Sequence, residues 1–118
     1  MKIEIPVSAG ELLDKLTILV IKRTKGLDVD AELDLLEGRV KEALGEGLCY
    51  FSPILKAINM QLWDIESLKR TDSPRGSTEY SDLSLLTLQL NDIRYQVKKA
   101  VDVFYGSEIS EEKDHSKR

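Results

Sequence analysis

The chain has 118 residues, 42% hydrophobic and 32% charged, with a formal net charge of −4, the size and composition of one soluble domain that buries a core without staples. The acidic balance argues against general nucleic-acid binding, which needs a cationic excess, and no apolar run approaches the ~20 residues of a membrane span. Cys49 and His115 are the only cysteine and histidine, so an internal disulfide and zinc sites with several Cys or His ligands are excluded within one chain, and no metal or other cofactor is expected.

The first residues, MKIEIPV, alternate Ile3, Ile5 and Val7 with Lys2 and Glu4, the pattern of a short extended arm or edge strand ending at a proline. They lack the layout of a signal peptide, so the expected location is cytoplasmic. Ser8 opens SAGE, a capping box in which the Ser8 hydroxyl accepts from the Glu11 amide and the Glu11 carboxylate reaches back. A first helix is expected from Ala9 to Lys25, stopped by Gly26. At ~100° per residue, Leu12, Leu13, Leu16, Leu19 and Val20 share one arc. Glu11, Asp14, Lys15, Lys22 and Lys25 gather around Ile18 on the other, where a Glu11–Lys15 pair would suit a solvated face.

Asp30 is placed to cap a second helix over Ala31–Leu44, with Leu33, Leu36, Val40 and Leu44 as its apolar stripe. In GEGLCYFSP, Leu48, Tyr50 and Phe51 should fold back onto the core. Ser52–Pro53 reads as a cap followed by proline at the first helical position. The third helix, Pro53–Arg70, then turns Ile54, Ile58, Leu62, Ile65 and Leu68 inward and leaves Trp63 on a polar side with Asn59, Glu66 and Arg70. TDSPRGSTEY is turn-rich. The fourth and longest helix runs from Glu79 or Ser81 to Tyr105, ended by Gly106. Its residues Leu83, Leu86, Leu90, Ile93, Val97, Ala100 and Phe104 keep heptad-like spacing, flanked by Asn91, Arg94 and Lys98. The expected architecture is an all-α antiparallel bundle of about four helices over 1–106, with a polar tail over 107–118.

Three constellations bear on function. Trp63 is an aromatic plane with an amide and a carboxylate beside it (Asn59 and Glu66), equipment for stacking on a base and equally for packing or for anchoring a protein partner. Lys15, Lys22, Arg70, Arg94 and Lys98 could grip an anion, arginine bidentately. Glu11 with Asp14, and Glu79 with Asp82, are acid pairs at i,i+3, the kind that all-α nucleotide pyrophosphohydrolases use to hold Mg²⁺. Both pairs sit in first turns, however, where the helix dipole alone favours acids.

IPVSAGELLDKLTIL-IK, N-x-x-LWDIE, NDIRYQVKKAV and GSEI-EEK together resemble an uncharacterised family of short helical proteins of bacteria and tailed phages. The resemblance spans most of the chain, although the final KDHSKR departs from that family's aromatic ending. It implies no established activity, but it selects Glu11, Asp14, Lys15, Lys22, Asn59, Trp63, Glu66, Asn91, Asp92 and Arg94. The resulting expectation is a non-catalytic homo-oligomer with a polar cleft between the first, third and fourth helices, binding an anionic, nucleotide-like small molecule. The ligand-binding set is Glu11, Asp14, Lys15, Lys22, Asn59, Trp63, Glu66, Asn91, Arg94 and Lys98. The family's occurrence in phages implies one role, sequestering a host immune signalling nucleotide in the host cytoplasm. A metal-dependent nucleotide hydrolase and a protein–protein interaction module are the alternatives.

Overall fold

A computed structural model describes residues 1–45, 50–71 and 74–107. Its helices are α1 (Ala9–Thr24), α2 (Asp30–Leu44), α3 (Ser52–Thr71) and α4 (Thr78–Tyr105), packed on one another as an all-α bundle. α1 is the hub, touching α2, α3 and α4, while α3 also packs on α4. Residues 1–8 form an extended arm without strand pairing among the described residues. No helix among those residues is long and apolar enough to cross a membrane. The expected fold-back of Leu48, and the tail from residue 108 with His115, lie outside the described residues.

Local chemistry sets most of the helix ends. The Ser8 hydroxyl accepts from the Glu11 amide at 3.1 Å and starts α1. Ser77 does the same for α4, accepting from the Tyr80 amide at 3.1 Å, so that helix begins a residue or more before the expected start. Gly106 ends it in the left-handed region at φ 64°, a conformation that costs a side-chain-bearing residue energy. The expected Asp30 cap is not made: Val29 precedes α2 without a side-chain bond, and Asp30 is already its first helical residue. There the acid acts on the helix dipole instead.

The apolar core joins Leu13, Leu16 and Leu19 of α1 to Leu33 and Val40 of α2, Leu55 of α3 and Val101 of α4. Each fully buried side chain of this size contributes about 1.5–3 kcal/mol before entropy is counted. Two stripes differ from the periodicity reading. On α3, Ile58 and Ile65 are buried, but Ile54 and Leu68 remain 48% and 44% exposed while Leu55 and Asn59 turn inward. α3 packs on α1 and α4 at once, so its buried face follows two neighbours rather than one apolar seam. Only Leu90 of the expected α4 stripe is buried. Leu83 and Val97 are half-buried, and Leu86, Ala100, Ile93 and Phe104 are exposed. The buried face of α4 is rotated toward Arg94, Lys98, Val101 and Asp102.

Candidate functional site

α1 has two buried faces. Opposite the leucine arc, Gly10, Asp14, Thr17 and Ile21 recur at four-, three- and four-residue steps, and all four are buried. This second face meets a polar line on α4, Asn91, Arg94, Lys98 and Asp102, whose three- and four-residue steps also share one side of a helix. The two helices run antiparallel: Gly10 meets Asp102, and Asp14 meets Arg94.

Asp14 is the centre of this seam. Its side chain is 4% exposed, on the face of the first helix opposite the leucine arc. Burial of a carboxylate is tolerable only with cationic and hydrogen-bonding partners, and it has both. Arg94 donates from Nε at 2.9 Å and from Nη2 to the other oxygen, the two-point grip of a guanidinium on a carboxylate. Asn59 donates its amide to Asp14 Oδ1 and to Thr17 Oγ1, both at 2.9 Å. Thr17 in turn donates to the Asp14 carbonyl. One carboxylate therefore ties α1 to both α3 and α4, and it fixes the plane of Arg94. Asn91 completes that end, accepting from Arg94 Nη1 at 3.4 Å.

One turn toward the N-terminus of α1, Lys98 reaches Glu11. Glu11 is thus paired across the seam with α4, not with Lys15 and not with its own helix terminus. Lys15 turns away to Glu32 of α2 at 3.5 Å, both side chains being at least half exposed, a pair worth little in water. Below this level the helices nearly touch. A Cβ on Gly10 would lie 2.4 Å from the Lys98 carbonyl oxygen and 2.9 Å from Asp102 Oδ1. The same closeness lets the Gly10 amide donate to Asp102 Oδ1 at 2.7 Å, while Ser107 accepts from the Ala9 amide. Asp102 Oδ2 is buried without a hydrogen-bond partner among the described residues.

Glu11, Asp14, Asn59, Asn91, Arg94 and Lys98 are therefore one connected set across three helices. Lys15 is not part of it. Lys22 is half-buried two turns beyond Asp14, with no ion-pair partner among the described residues. Trp63 is half-buried one turn beyond Asn59. Asn59, expected on the polar side of α3 with Trp63, is instead drawn into the core by Asp14. Glu66 is half-buried and 3.5 Å from Lys69, whose ammonium also lies 5.0 Å from the centre of the Tyr80 ring. Comparison with protein-family models, curated proteins and solved structures found no match.

Both acids of the Glu11–Asp14 pair face cations of α4, so they are not presented together as oxygen ligands. Among the described residues no three His, Cys, Asp or Glu side chains are grouped to hold a metal. A separate groove of about 650 Å³ lies between the arm and the α1–α2 hairpin, walled by Ile3, Ile5, Leu12, Leu36 and Arg39. Of the expected site residues, only Glu11 and Lys15 border it. The residues that sequence reasoning misses are Gly10, Thr17, Asp102 and Ser107. For the first three, the signal was present as the two lines of i,i+3 and i,i+4 positions described above.

Proposed function

We propose that the protein is a non-catalytic binding protein that captures an anionic, nucleotide-like small molecule at the outer edge of the α1–α4 seam. One observation carries this reading: Lys22 is a half-buried cation without an acidic partner among the described residues, on the same helix as the carboxylate that orients Arg94. The two levels are about 12 Å apart along the axis at 1.5 Å per residue, a span that a ligand of nucleotide size, rather than one phosphate group, can bridge. A guanidinium already held in plane loses less freedom on binding an oxyanion than a mobile one. Trp63, near the third helix's contribution to the seam, supplies the stacking surface for a planar group. In the phage setting implied by the sequence resemblance, the ligand is a host immune signalling nucleotide, met in the host cytoplasm.

The test is calorimetric titration with a nucleotide panel that includes cyclic dinucleotides and ADP-ribose derivatives, at two salt concentrations. At least one member should bind more tightly than about millimolar (about −4 kcal/mol). Lys22→Ala should weaken that binding and flatten its salt dependence, because one screened contact is removed. Absence of binding by any panel member ends the nucleotide reading.

A further inference from the structure

The outward face of α4 is the most apolar surface among the described helices. Leu85, Leu86, Ile93, Val103 and Phe104 lie along it, each between 40% and 82% exposed. At ~150–200 Å² for a fully exposed side chain of this size, they present roughly 500 Å² of apolar surface. That is within the range of a monomer's largest patch and more than half of the ~800 Å² per partner of a standard interface. By contrast, the exposed positions of α2 from Asp30 to Glu42 are mostly charged.

We infer that this face pairs with the same face of a second copy, α4 against α4, antiparallel about a two-fold axis near Ile93. Leu86, Ile93 and Ala100 are spaced by seven residues and are all exposed, while the alternate heptad positions Leu83, Leu90 and Val97 face the chain's own core. A two-fold axis at Ile93 sets Ile93 against its own copy and places Leu86 opposite Ala100, a large residue over a small one. Such self-complementarity is what an isologous contact requires.

Light scattering at micromolar concentration should give twice the 13.4 kDa mass of the chain; a mass of one chain overturns the inference. Disulfide trapping locates the contact, using protein in which the sole native cysteine is replaced by Cys49→Ser. Ile93→Cys should oxidise to a covalent dimer, since an axial pair falls within disulfide reach. Leu86→Cys should cross-link efficiently only when mixed with Ala100→Cys. A control at Glu37→Cys on α2 that cross-links equally well would contradict the assigned face. Ile93→Glu should give a helical monomer, and a dimer that persists in this variant also contradicts it. Should that variant fail to fold, the near-native cysteine variants decide the matter.

Discussion

Replacing Asp14 by alanine should be among the most damaging single changes in the chain. The carboxylate is 4% exposed and its arginine partner 26% exposed. Removing Asp14 takes from a mostly buried guanidinium the carboxylate that its Nε and Nη2 both bind, and takes one acceptor from the Asn59 amide. Breaking a buried pair in this way costs about 3–5 kcal/mol. For a domain of this size that is a fall in Tm of roughly 10–25 °C, at a few degrees per kcal/mol. Arg94→Met should also be costly, because it strands the buried carboxylate. The double variant should be far less damaging than the sum, since neither charge is then left alone, with a coupling of about 2 kcal/mol or more. Urea unfolding followed by circular dichroism measures all four corners of this cycle. If Asp14→Ala costs less than about 1 kcal/mol, or the two changes add within about 0.5 kcal/mol, then the pair does not hold the helices together and the account of the seam is wrong.

Other substitutions separate close packing, hydrogen bonding and surface charge. Gly10→Ala should destabilise by about 1–3 kcal/mol, the scale of overpacking, despite alanine's better helix propensity, because the new methyl meets the Lys98 backbone; a more stable variant in thermal melts would contradict that contact. Asp102→Asn can keep an oxygen for the Gly10 amide and should cost less than Asp102→Ala, which leaves that buried donor unmade at about 1–3 kcal/mol. Equal losses for the two variants in urea titration would show that the acceptor is not what matters. Lys15→Ala should change stability by less than about 0.5 kcal/mol because its pair with Glu32 is exposed; a larger loss would place Lys15 in the structural network after all.

Much of the fold was legible because its punctuation is local. Ser8, Gly26 and Gly106 mark helix ends through chemistry that acts within a few residues, and the α1 and α2 leucine stripes follow simple periodicity. The polar seam was only partly legible. Arg94, Lys98 and Asn91 can be grouped on one side of the fourth helix, and Asp14 and Asn59 can be singled out, but the pairing that buries Asp14 cannot be read from either segment alone. Asp14 is buried because Arg94, eighty residues away, supplies the charge that makes burial tolerable. Nothing in the sequence around Asp14 reports that partner. Gly10 lies inside the capping box without a part in it, and its role as the point where two backbones approach depends on α4. The heptad pattern of α4 was recognisable, but a pattern cannot say that its alternate positions serve different surfaces.

Binding of a nucleotide-like anion at the seam's outer edge can be watched residue by residue by nuclear magnetic resonance of the ¹⁵N-labelled protein during titration with the nucleotide panel. Trp63 is the only tryptophan, so its indole N–H is a single unambiguous reporter, and the Arg94 Nε–H reports the guanidinium. A nucleotide bound there should shift both signals together with the Lys22 amide. Shifts confined to residues of the arm and α2, or no shifts with any panel member, would contradict it.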